Sequence, residues 1–209
     1  MRDIVTQVYK FAELSESAKD RARQWWRDSM DSSDYSDCVI EDAMQVADIL
    51  GIEIATRPVK LTGGGTRKNP CIYWSGFSSQ GDGACFEGWY SYRKGSCKAI
   101  RAYAPMDAEL HEIADHLASW QKINFYRLQA KIQHRGNYYH SGCMAVDVHD
   151  YEYEYRDVPE EGIRNLMRQF ADWIYRQLEK EYEWVMADKQ VDESIEVNKY
   201  EFTAEGSPA

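Results

Sequence analysis

The run Ile72-Tyr-Trp-Ser-Gly-Phe-Ser-Ser-Gln-Gly-Asp-Gly-Ala-Cys-Phe-Glu-Gly-Trp-Tyr-Ser-Tyr92 limits the fold more than any other stretch of this chain. Aromatic residues favour the pleated backbone, and two aromatic-rich segments, near 72–77 and 84–92, flank a Gly-rich turn. They read as two strands of a hairpin. Asp82 stands between Gly81 and Gly83, where a short acid suits a turn. Glu87 falls in the second strand.

The rest of the pattern agrees with an antiparallel sheet. Ile4–Phe11 alternates weakly, Ile52–Leu61 reads as a strand that Pro58 confines to an edge or a bulge, and Thr62–Pro70 reads as a flexible connector. A short strand is expected between Arg93 and Ala104, and a pair of strands at Lys131–Arg135 and Gly142–Val148. Helices come in blocks. Ser15 caps a first one, a second ends at Leu50 before Gly51, Asp107 caps a third, and Pro159 opens the longest, from about Glu160 to near Ala187. Ile163, Leu166, Met167, Phe170, Ile174 and Leu178 form its apolar stripe. A short helix is expected over Asp192–Asn198. Hairpin-like strand pairs with helices in blocks predict a single α+β domain over 1–204, its antiparallel or mixed sheet carrying helices mainly on one face. Residues 205–209 are expected to form a flexible tail.

Composition narrows the function classes. No window is long and apolar enough to cross a membrane, and the first residues lack the apolar centre of a signal peptide. Cys38, Cys71, Cys85, Cys97 and Cys143 are odd in number and never in CxxC spacing, which suggests reduced cytosolic thiols and neither a disulfide framework nor a zinc ribbon. No cofactor and no metal site is expected. The net charge of −10 is unevenly placed: from Asp147 onward there are 17 acids against 7 Lys/Arg, whereas residues 1–146 hold 18 of each. An acidic surface repels nucleic acid and suits a basic protein partner. The 7 Trp and 15 Tyr combine apolar area with a polar tip, as interfaces require.

Three groups of residues are candidates for chemistry. Asp82, Glu87, His134, His140 and Asp147 are the polar set that a hydrolase or nucleotide-modifying enzyme would use. Ser78/Ser79 and His140/Asp147 build no recognisable nucleophilic triad, and Gly76-Phe-Ser-Ser is not G-x-S-x-G. Tyr151, Glu152, Tyr153, Glu154 and Tyr155 alternate perfectly and predict a strand with three rings on one face and two carboxylates on the other, suited to pair with a partner strand. Arg57, Lys60, Arg67, Lys68, Arg93, Lys94 and Lys98 form a basic set for nucleic acid. Gly63-Gly-Gly-Thr-Arg-Lys68 is not a phosphate-binding loop, because Asn69 and Pro70 follow the lysine.

Four stretches also carry a likeness to a known group of proteins. These are Leu14-Ser-Glu-Ser-Ala-Lys-Asp-Arg-Ala-Arg, the opening Ile72–Gly88 run, Ile132-Gln-His-Arg-Gly-Asn-Tyr-Tyr-His-Ser and Tyr200-Glu-Phe-Thr-Ala-Glu-Gly. Together they resemble an uncharacterised family of tailed-bacteriophage and prophage proteins, some labelled antitoxins of toxin–antitoxin systems. The resemblance implies an accessory protein in the cytoplasm of the infected bacterial host. The expectation is a protein that binds a host protein and neutralises a defence or toxin component. The oligomeric state is left open, a homodimer included.

Overall fold

The computed structural model describes residues 7–152, 158 and 160–209. It is an α+β domain whose residues gather into two compact units, one comprising the chain up to Asp37 together with Leu178–Ala209, the other Cys38–Gln177.

In the first unit, Ser15 caps α1 (Glu16–Ser29) by accepting the Ala18 amide, as the Ser-rich start of this segment requires. Ala18 and Ala22 of α1 meet Val191 and Ile195 of α6 (Asp188–Val197), with Phe11, Leu14 and Phe202 completing the core. The small alanines let the helices approach closely, and Arg23 seals the contact by a two-pronged bond to Asp192 (2.7 and 2.8 Å). β1 (Tyr9–Lys10) pairs with β10 (Glu201–Phe202). The last residues, expected loose, are tied back: Thr203 N donates to Ser207 O, Ala209 N to Glu201 O, and Pro208 bridges Phe202.

The second unit holds β2 (Ile52–Ile54), β3 (Thr56–Lys60), β4 (Thr66–Pro70), β5 (Ile72–Ser75), β6 (Gly83–Phe86), β7 (Gly88–Ser91), β8 (Leu128–His134) and β9 (Met144–Asp150). All pairings are antiparallel: a four-stranded sheet β2-β7-β8-β9 and two separate ribbons, β3·β4 and β5·β6. One face of the sheet buries Ile52, Ile54, Tyr90, Leu128, Ala130, Ile132, Met144, Val146 and Val148. The helices lie on that side, α4 (Ala108–Ile123) bonding Tyr90 through Gln121, and α5 (Glu160–Met186) setting Phe170 edge-on to Phe86. The other face is open and carries the row Glu53, Trp89, Lys131, Asp147.

The sheet and the two ribbons meet at a closed ring of backbone hydrogen bonds. Ala55 N donates to Glu87 O (2.8 Å), Glu87 N to Cys71 O (2.9 Å), and Cys71 N to Ala55 O (2.7 Å). Each of these residues stands alone between two strands that go to different partners. This corrects two expectations. The segments at 52–61 and 84–92 are not single strands, because each bends at one residue of the ring. That bend needs neither Gly nor Pro, so the alternating pattern runs through it unbroken.

Three further assignments change. Thr62–Pro70 contains β4 and is no mere connector. Arg93–Ala104 forms helix α3 (Ser96–Tyr103), with Ser96 and Ile100 buried on one side. Tyr151 and Glu152, expected to open a strand, form a bend: β9 ends at Asp150, whose carboxylate accepts the Glu152 amide at 2.9 Å and turns the chain there. Tyr153, Glu154, Tyr155 and Pro159 lie outside the described residues.

Candidate functional site

The four-stranded sheet has two ends, and the sequence-derived candidates divide between them. At the end where β7 begins and β8 finishes stand Glu87, His134 and the loop after β5. Asp82 organises that loop. Its Oδ2 accepts the amides of Ser78 (3.0 Å) and Ser79 (2.6 Å), and Ser75 Oγ donates to Oδ1 at 3.4 Å. These bonds, the Ser79 amide first, hold its carboxyl below the ordinary range. Gly76 makes room for it: φ is 49°, and a β-carbon there would lie 2.2 Å from Asp82 Oδ2. Asp82 therefore fills the amide nest that an anion would need. Gly83 has a different task, since a β-carbon on it would come within 2.6 Å of His140 Cβ.

Glu87 is half-buried and accepts twice, from Tyr73 Oη at 3.3 Å and from the His134 amide at 3.2 Å. The rings of Tyr73, His134 and Tyr139 lie 5.4–5.6 Å apart, and the Arg57 guanidinium stands 5.4 Å from the Tyr73 centroid. Burial raises the Tyr73 phenol above its usual value. His134 Nε2 donates to Tyr138 O at 3.0 Å, so that nitrogen carries the proton. His140 Nδ1 accepts the Gly142 amide at 3.1 Å, which leaves the proton on Nε2, facing Cys143 Sγ at 3.4 Å. A protonated nitrogen donates to that sulfur and is not placed to take its proton. Burial pushes the neighbouring Cys85 thiol up to about 12, which makes it inert at neutral pH.

Of the five polar candidates, then, Glu87 and His134 meet, and Asp82 and His140 sit on loops packed against each other. Asp147 lies apart, on the open sheet face opposite Lys131. Among the described residues no group of three or more His, Cys, Asp and Glu could hold a metal ion.

The opposite end, where β7 finishes and β8 begins, has another character. Phe125 and Tyr126 follow helix α4 with φ of 55° and 62°. Two consecutive bulky residues in the left-handed region cost about 1–3 kcal/mol each and persist only when their surroundings force them. The forcing groups are visible. Tyr126 N donates to Gln121 O at 2.6 Å, and Asn124 Nδ2 to Trp120 O at 2.9 Å. The buried Gln121 carboxamide binds both backbone groups of Leu128, accepting from N (3.2 Å) and donating to O (2.7 Å). It bonds the backbone of β8 where β7 has ended.

This clamp presents apolar surface to solvent. Phe125 is 67% exposed, Ile123 64%, Tyr151 60% and Tyr126 45%. Contacts gather Phe125, Tyr126 and Tyr151, and Ile123 is the last residue of α4, two before Phe125. Tyr92 packs on Tyr126 at 4.5 Å, Arg127 lies 5.7 Å from the Phe125 centroid and pairs with Glu152 at 2.8 Å, and Tyr151 N donates to Arg127 O at 3.2 Å. Tyr151 and Glu152 were candidates from sequence. Ile123, Phe125 and Tyr126 were not. The available signal was Asn124, a residue suited to end a helix.

Residues 35–188 match the family described as domain of unknown function (DUF8835). The chain belongs to that family. No curated protein and no solved structure matches it. The matched span of this DUF8835 member takes in the whole exposed patch, the Glu87–His134 cluster and both ribbons. No described helix is long and apolar enough to cross a membrane.

Proposed function

We propose that this DUF8835 protein is a bacteriophage accessory protein that binds a host protein in the cytoplasm of the infected bacterium, and so neutralises a defence or toxin component. The observation that carries the binding reading is the exposure of Ile123, Phe125, Tyr126 and Tyr151, with Phe125 and Tyr126 held on a strained backbone. Rigid aromatics with an arginine beside them are the residue types that dominate interface energies. Strain retained in an exposed loop is accounted for when the conformation serves a contact. The acidic excess after Asp147 favours a basic partner. The resemblance to tailed-phage proteins supports the setting.

The test is capture from host lysate by the tagged chain and by Phe125→Asp/Tyr151→Asp. A specific protein retained by the wild type should be lost from the double variant at an unchanged melting temperature. Equal retention by both would remove the patch from the reading.

The enzyme reading rests on the Glu87–His134 contact. That contact runs through the His134 backbone amide, and the imidazole Nε2 is engaged elsewhere. It supports a turn-locking role better than proton transfer.

A further inference from the structure

The β3–β4 ribbon is the least explained part of the fold. Its five pairs, Thr56↔Pro70 to Lys60↔Thr66, form a ladder joined by backbone bonds at the ring of Ala55, Cys71 and Glu87, with the Arg57 guanidinium 5.4 Å from the Tyr73 centroid. From Thr56 to Lys68 every residue is exposed except the half-buried Val59. A two-stranded ribbon without a core is marginal on its own, so its length serves no packing purpose.

Its charge is equally out of keeping. Residues 56–70 hold four cations, Arg57, Lys60, Arg67 and Lys68, and no acid, in a chain of net charge −10. None of the four forms an ion pair among the described residues, whereas Arg93 nearby is paired with Asp48. Cross-strand partners point to the same side of a ribbon. Arg57 and Arg67 therefore share one face with Val59 and Asn69, and Lys60 and Lys68 share the other with Thr66 and Pro58. The tip between the strands, Leu61-Thr-Gly-Gly-Gly65, is uncharged and ends in three glycines.

We infer that this ribbon is an arm that enters the major groove of B-form DNA. Five residue pairs extend about 17 Å, and the major groove, about 12 Å wide, admits a two-stranded β-ribbon. Cations on both faces meet the phosphates on both walls, while the glycine tip lets the backbone approach the groove floor. The A-form groove of duplex RNA is too narrow and deep for this entry. The surface is separate from the aromatic patch, so the two readings stand or fall independently.

The experiment is fluorescence anisotropy of a labelled, mixed-sequence DNA duplex titrated with the full chain from about 50 mM salt upward. Four phosphate contacts predict a slope of log K against log salt of about −3.6. Arg67→Gln/Lys68→Gln should lower affinity at least about tenfold at low salt and reduce the slope by about 2. Lys94→Gln/Lys98→Gln, outside the ribbon, should change neither. Arg67, Lys68, Lys94 and Lys98 are all exposed, and an unchanged circular dichroism spectrum confirms folding. No binding at low salt, equal effects of the two double variants, or tighter binding of duplex RNA or polyglutamate than of the DNA would each overturn the inference.

Discussion

The two ends of the four-stranded sheet put similar residues to opposite uses. At the Glu87 end the polar groups satisfy one another: Glu87 takes the Tyr73 hydroxyl and the His134 amide, and Asp82 takes the amides of its own loop. At the Phe125 end two buried groups, Gln121 and Asn124, do the holding, and the aromatics they position stay in water. The first end spends its chemistry on internal order. The second uses internal order to present a surface. A group that looks catalytic in a sequence can thus be fully occupied by the fold, while the exposed feature rests on a strained backbone with no motif.

Removing the clamp should have the largest effect. Gln121→Ala strips the partners from Leu128 N, Leu128 O and the Tyr90 hydroxyl, and should lower unfolding free energy by about 3 kcal/mol in denaturant titration. A loss below about 1 kcal/mol would mean that β8 finds other partners and that the clamp is not what fixes the loop. Glu87→Ala should cost less, about 1–2 kcal/mol, because the groups it leaves unpaired are only half-buried. A loss as large as that of Gln121→Ala would erase the contrast between the ends.

Phe125→Gly should act in the other direction. Glycine adopts φ near 55° without strain, so the folded state should gain up to about 1 kcal/mol after the greater freedom of the unfolded chain is counted. Destabilisation would show that Phe125 contributes packing and not strain.

Asp82→Asn probes the Glu87 end by pH. The native carboxyl is held below its ordinary value, so its contribution is complete above about pH 4 and is lost as pH falls through the lower native value. Stability of the wild type should therefore fall more steeply than that of Asp82→Asn below about pH 4, with parallel profiles near neutrality. Identical acid limbs would show that the loop amides do not favour the charged form.

Much of this fold was legible because its helices carry their own signals. Ser15 and Asp107 both cap helices by accepting a backbone amide, α5 begins at Glu160 as its apolar spacing requires, and Gly51 ends α2 (Ser33–Leu50). The strands were legible as segments but not as partners. Ala55, Cys71 and Glu87 redirect the chain through backbone bonds that no side-chain pattern announces. The site was legible only in part. Tyr151 and Glu152 were visible because alternation marked them, although the chain turns there instead of continuing as a strand. Phe125 and Tyr126 were hidden because their exposure follows from a left-handed backbone, a conformation that bulky side chains rarely adopt.

The most direct test of the central claim is the capture comparison extended to both ends of the sheet. Partner retention from host lysate should fall at least about tenfold for Phe125→Asp/Tyr151→Asp, as for the loss of interface anchors, and stay unchanged for Glu87→Gln/His134→Gln. Retention lost by the second pair and kept by the first would place the functional surface at the wrong end and contradict the account.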